Sequence, residues 1–237
     1  MGYLTARRGD EFYTRPEDVS MILDQYLPTL RGRRILCPCD TSASAFVQYM
    51  LAHDLDVTWD DRLDYELFDF AAFDFVITNP PFSLMGAFLR RIASAGVGGI
   101  IICPIASIGH ACVPLFAQGW RATDEGVPDL FQGPHGEMLR ATRIAVLRSK
   151  EFPGNIWEGT KRRETSRHED ARADEGYPIY SRVSAVPDTW SGVIAVPVTW
   201  TCVKYDPERH EVVSAVSPHI DGTATFKRFL VRERKET

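Results

Sequence analysis

At 237 residues, with 44% hydrophobic and 25% charged side chains, the chain has material for one α/β core with a smaller appended region. No apolar run approaches the roughly 18 residues of a membrane span, and the N-terminus "MGYLTARRGDEF" lacks the apolar centre of a signal peptide; we therefore read a cytoplasmic (intracellular) protein with no membrane partner. A net charge of −5 argues against a general polyanion binder, so any nucleic-acid contact has to come from a local basic face.

In chain order, "RRILCPCD" reads as a strand and "SASAFVQYML" as the helix after it. "DLDVTWDD" reads as a second strand ending in acids, and "FDFVIT" as a third. The stretch "SLMGAFLRRIASAG" sets Leu84, Phe88 and Ile92 on one helical face, with Gly96 as its stop. "GGIIICPI" is strongly β-like, "ACVPLFAQGW" reads as a helix and "RATRIAVLRS" as a strand. This alternation is the signature of a doubly wound α/β sheet. Around Phe152 the character changes. Residues 152–176 are charged and without period, a long loop, and beyond them "GVIAVPVTWTCVKY", "EVVSAV" and "ATFKRFLVR" are β-like. Pro197 marks its strand as an edge or a bulged one. The division is residues 1–151 as the cofactor-binding and catalytic region and 152–237 as a loop and β-rich region packed on the same domain and contributing to DNA contact.

The five cysteines form no CxxC pair and the histidines show no ligand spacing, so no metal is expected. Three strand ends carry suggestive chemistry: Asp40 after "ILCPC", Asp60 and Asp61 after "VTW", and Asn79-Pro80-Pro81-Phe82 after "FVIT". Ligands of open α/β sheets sit at such carboxyl ends, and acid at the second strand end suits a ribose hydroxyl. The two prolines hold the chain extended and offer carbonyls without N–H groups. Asn79 and the Pro80 carbonyl would each accept one N–H of an exocyclic amine and aim its lone pair at an incoming methyl group. Phe82 would stack on the base, worth about 1–3 kcal/mol, comparable with the cost of extruding a base from a duplex. Such a tetrapeptide arises by chance in about one per cent of chains of this size, so a mere proline-rich turn explains it poorly.

Taken together, these segments resemble the adenine-specific DNA methyltransferases of the EcoRI modification-methylase type. "DEFYT" is similar to that family's N-terminal cofactor motif, "ILCPCDTSASAF" to its "CPCD…SxF" segment, and "TNPPFSL" to its catalytic motif. "IIICPIASIGHACVPLF" and "GVIAVPVTWTCVKYDPERHEVV" resemble its following strand and distal region, so the likeness runs from about residue 10 to about residue 232. The resemblance implies a Rossmann-like sheet with a β-rich C-terminal extension, S-adenosyl-L-methionine as cofactor and double-stranded DNA as partner. It implies that Phe12, Tyr13, Thr14, Asp40, Ser44 and Phe46 line the cofactor site, that Asp60 holds the ribose, and that Asp69 approaches the cofactor adenine. It further implies Asn79, Pro80, Pro81 and Phe82 as the catalytic set. A monomer suits contact with one flipped base, and a cognate restriction nuclease is the partner such a modification enzyme would have. Ala45 departs from the Asn frequent in the family, and the stretch from Gly119-Trp120 to "VLRS" matches poorly; there, and in the 152–176 loop, target recognition would diverge. Two other readings share these residues: methylation of an amine in RNA or protein, and a descendant that binds without turnover.

Overall fold

The apolar runs of the first two thirds become one six-stranded sheet. The computed structural model describes residues 13–60, 69–123, 130–133, 138–140, 144–154 and 171–235. In chain order, its first part contains α1 (Pro16–Leu23), α2 (Leu27–Leu30), β1 (Ile35–Pro38), α3 (Ala45–Ala52), β2 (Val57–Asp60), β3 (Phe75–Thr78), α4 (Met85–Ala95) and β4 (Gly98–Pro104). Then come α5 (Val113–Ala117), β5 (Arg121–Thr123), β6 (Leu130–Gln132), β7 (Met138–Arg140) and β8 (Ile144–Arg148). The sheet order is β2-β1-β3-β4-β8-β5. Its first four strands are mutually parallel, and β8 runs antiparallel to both of its neighbours.

Side chains alternate across this sheet as the pleat requires. Ile35, Cys37, Phe75, Ile77, Ile100 and Ile102 point to one core, shared with Val19, Ile22 and Leu23 of α1 and with Phe46, Val47 and Met50 of α3. Leu36, Val76, Ile101 and Cys103 point to the other, which Met85, Phe88, Leu89 and Ile92 of α4 and Leu115 and Phe116 of α5 complete. Both faces are covered by helices, which is why the strands read as continuous apolar runs. Edge strand β2 is the exception: it is half exposed, with Trp59 at 37%.

Two glycines matter to this arrangement. Gly96 closes α4 with φ of 66°, the left-handed cap expected of it. Gly99 has φ of 157°, and a Cβ there would lie 1.9 Å from the Val76 carbonyl oxygen in the neighbouring strand. Gly99→Ala is therefore expected to force β3 and β4 apart and to cost several kcal/mol, checked by denaturant titration.

The remainder forms a second sheet from β9 (Ala171–Arg172), β10 (Pro178–Ile179), β11 (Val193–Pro197), β12 (His210–Val216) and β15 (Arg228–Glu233), in the order β12-β15-β11-β10-β9. A short helix, α6 (Trp200–Val203), follows β11, and β13 (His219–Ile220) and β14 (Thr223–Ala224) form a hairpin. Ile194, Val196, Val212, Ala215, Phe229 and Val231 join the core under α4 and α5, and the Tyr205 hydroxyl donates to the Phe116 carbonyl at 2.7 Å. A register shift between Val212 and Ser214 resets the alternation in β12, so Val212 and Ala215 both face inward.

Several expectations need correction here. "VTWTCVKY" is not a continuation of the strand: it turns into α6, because Pro197 ends β11. β11 is not an edge strand either. It lies between β15 and β10, and β10 pairs with it only at Ala195, so the missing N–H of Pro197 leaves no ladder bond unmade. The alternation of elements also passed over α1, β5 and the β6–β7 hairpin. The first has Pro16 at its first turn, acids behind it and Val19, Ile22 and Leu23 at helical spacing. The charged 152–176 stretch lies mostly outside the described residues, and its end, Ala171–Arg172, is strand β9. Among the described residues no helix is long and apolar enough to cross a membrane.

Candidate functional site

The connection after β1 leads into α3 on one face of the sheet, and the connection after β3 leads into α4 on the opposite face. The strand order reverses at this point, which opens a crevice between the carboxyl ends of β1 and β3. Asp40 follows β1 and Asn79 follows β3, so both flank it.

Asp40 is 9% exposed. The Thr78 hydroxyl lies 2.7 Å from the Pro38 carbonyl and 3.0 Å from Asp40 Oδ2, tying the two strand ends together. Burial pushes the Asp40 carboxyl up to about 6, against the pull of the Ser44 and Thr78 hydroxyls that bond to its charged form. A single hydroxyl proton cannot serve both of its acceptors fully. Among the described residues no cationic side chain offsets this burial, and a cationic ligand group would relieve it.

Between Pro38 and Asp40, Cys39 has φ of 66°, and its N–H donates to the Asp60 carbonyl at 2.9 Å. A side chain in this region costs about 1–2 kcal/mol, and the turn brings Asp40 back over the sheet edge. Cys39→Gly is expected to stay within about 1 kcal/mol of the parent while Cys39→Val loses about 2 kcal/mol, by denaturant titration. The Cys39 thiol is pushed up to about 12, chiefly by burial, so it is no thiolate nucleophile.

On the other side, Pro81 has φ −51° and ψ 129°, and its carbonyl accepts from the Leu84 N–H at 2.9 Å, opening the turn into α4. Asn79 and Phe82 are half-buried and Pro80 is buried. The Phe82 ring meets Phe131 of β6 edge-on, with centroids 6.5 Å apart. Next to Phe131, Gln132 pairs with Tyr13 through two backbone bonds, of 2.8 and 3.0 Å. The β6–β7 hairpin therefore carries the N-terminal segment to the same crevice as the Asn-Pro-Pro-Phe turn. Thr14 is 8% exposed, and its hydroxyl has no hydrogen-bond partner among the described residues. Arg15 grips Asp18 with bonds of 3.0 and 3.1 Å, which fixes the segment to the start of α1.

The remaining expected site residues are distributed less evenly. Ser44 caps α3, accepting from the Val47 N–H at 3.3 Å, and also bonds to Asp40. Asp60 ends β2 beside Pro38, at the same sheet edge. Phe46, expected to line the cofactor site, is instead 2% exposed within the core under α1 and α3, because the second residue of α3 faces the sheet. Asp69 is not brought to the crevice. Its carboxylate accepts from the Ala71 N–H at 3.1 Å, and the adjacent Phe70 packs on Phe88 and under Arg91, toward the amino end of β3. Asp74 sits at that end too, lowered by its bonds to the Arg34 backbone and side chain. Phe12 lies outside the described residues.

Two contributors were not singled out from sequence. Thr78 is the strand-end residue of "TNPPF", and its signal was a hydroxyl closing an otherwise apolar run. Phe131 had none, since its neighbourhood shows no period. Among the described residues no group of three or more side chains is arranged to hold a metal ion. No protein-family model and no curated protein matches the chain.

Proposed function

We propose that this protein is an S-adenosylmethionine-dependent DNA methyltransferase acting on the exocyclic N6 amine of a flipped adenine. The observation that carries the reading is the convergence of the Asp40–Thr78 pair and the Asn79-Pro80-Pro81-Phe82 turn at one reversal of strand order. The same reversal, with helices on both faces, supports a Rossmann-like methyltransferase sheet carrying a β-rich extension.

The residues fit the cofactor in two respects. Asp40 holds a desolvated carboxyl where a cationic group is wanted, and Thr14 offers a buried hydroxyl with bonding capacity to spare. When bound, S-adenosylmethionine would supply an electrophilic methyl group on a sulfonium. Tyr13, Thr14, Asp40 and Ser44 would hold it, with Asp60 toward its ribose. Asn79 and the Pro80 carbonyl would accept the two amine hydrogens and leave the nitrogen lone pair directed outward. Because the proline pair fixes its own backbone angles, those acceptors are set before substrate arrives. Phe82, braced by the edge of Phe131, would stack on the extruded base.

The test is methyl transfer from labelled S-adenosylmethionine to unmethylated double-stranded DNA, with the product nucleosides identified by mass spectrometry. N6-methyladenine is the expected product. Label appearing only in RNA or protein would overturn the choice of substrate, and cofactor binding without any product would overturn catalysis.

A further inference from the structure

The most exposed large apolar side chain described is Phe226, at 83%, in the turn between β14 and β15. An isolated exposed phenylalanine needs no explanation by itself. This one is held in place. The Arg228 guanidinium donates to the carbonyls of Phe226 at 3.3 Å, Lys227 at 3.1 Å and Tyr180 at 3.3 Å, and the Thr225 N–H donates to the Pro218 carbonyl at 2.7 Å. The backbone of the tip is thereby fixed while the ring stands in solvent.

Its neighbour locates it. The Lys227 side chain lies over Gly109, where an added Cβ would come 2.6 Å from Nζ. Gly109 belongs to the connection leaving the carboxyl end of β4, and β4 pairs in parallel with β3. The tip therefore stands on the sheet edge that carries Asn79, one strand along. Lys227 makes no ion pair among the described residues, and the carboxylate of Asp174, in the turn between β9 and β10, accepts from the N–H groups of Asp221 and Gly222 of the β13–β14 hairpin at 2.9 and 2.8 Å. The tip thus sets an exposed aromatic next to two cations, Lys227 and Arg228, in a chain whose net charge is −5.

We propose that this tip contacts duplex DNA beside the extruded adenine, Phe226 stacking against or wedging into the opened base step and Lys227 pairing with a flanking phosphate. An apolar side chain inserted at a base step stabilises an unstacked duplex, and a cation on the rim fixes register. The inference rests on the proposed DNA substrate. It goes beyond it in naming the residues of the C-terminal sheet that make such a contact, Phe226 and Lys227, and the role of each.

The test compares the full-length protein with Phe226→Ala, Phe226→Trp and Lys227→Ala, measuring kcat/KM on unmethylated duplex DNA, cofactor affinity by calorimetry, and DNA affinity across a salt series. Phe226→Ala is expected to lose about ten-fold or more on duplex DNA with cofactor affinity unchanged, and Phe226→Trp to keep most of the activity. Lys227→Ala is expected to make log K against log salt shallower by about 1. Wild-type kcat/KM in Phe226→Ala and an unaltered salt slope in Lys227→Ala, with the parent active on DNA, would overturn this assignment and leave the methyltransferase reading standing. A parent that methylates RNA or protein but no DNA would overturn both.

Discussion

Asn79→Ala is expected to lower methyl transfer by about 10²–10³ or more while cofactor affinity stays within a few-fold of the parent. The magnitude is that of losing one preorganised polar group aimed at the reacting centre. The split follows from position: Asn79 follows β3, whereas Tyr13, Thr14, Asp40 and Ser44, which we propose hold the cofactor, lie on the N-terminal segment and the β1–α3 connection. Asn79 is only half-buried, and the flanking prolines hold the backbone without its help, so the fold should tolerate the change. Asn79→Asp refines the test, since a carboxylate still accepts a hydrogen bond and should retain more activity than Ala. Rates are best read by single turnover, which separates chemistry from binding. Near-parental turnover in the Ala variant, with its thermal transition unchanged, would sink the amine-activation mechanism.

Replacing Asp40 should act on the other partner. Asp40→Ala is expected to weaken S-adenosylmethionine binding by at least ten-fold, measured by calorimetry, and to raise the stability of the free protein near neutral pH. The second effect comes from burial. With its folded value raised to about 6, the carboxyl binds its proton more tightly in the folded chain than in the unfolded one. It therefore contributes stability that is fully present below its unfolded value, about 4, and is lost as pH rises through about 6; the loss amounts to about 3 kcal/mol. The free protein thus holds an ionised Asp40 at a cost that a cationic ligand group would offset. Cofactor affinity should accordingly fall as the solution is acidified below about pH 6 in the parent, and this dependence should vanish in Asp40→Asn. A parent affinity that is flat between pH 5 and pH 7 would separate Asp40 from the cofactor.

These two variants probe opposite sides of one crevice, and Thr78 joins them. Its hydroxyl belongs to the strand that delivers Asn79 and bonds to the carboxylate after β1. Substitutions at Asp40 and Thr78 are consequently expected to couple, since residues sharing a hydrogen-bond network do not add.

Periodicity alone determined the strands at residues 35–38, 57–60, 75–78 and 98–104, the helix from Met85 to Ala95 with its glycine stop, and the placing of Asp40, Asp60 and Asn79 at strand ends. Those features are local: a pleat repeats every two residues, a helix every 3.6, and the backbone preferences of Pro and Gly act on immediate neighbours. Tertiary structure decided the rest. It ordered the strands so that the chain reverses between β1 and β3, carried Tyr13 to Gln132 and Phe82 to Phe131 across more than a hundred residues of sequence in the first case, and buried Phe46 in the core when the family resemblance had offered it to a ligand. It also left Asp69 capping its own turn. Whether a side chain faces a crevice or a core depends on which elements cover each face of the sheet, and that is settled only when the non-local strands pair.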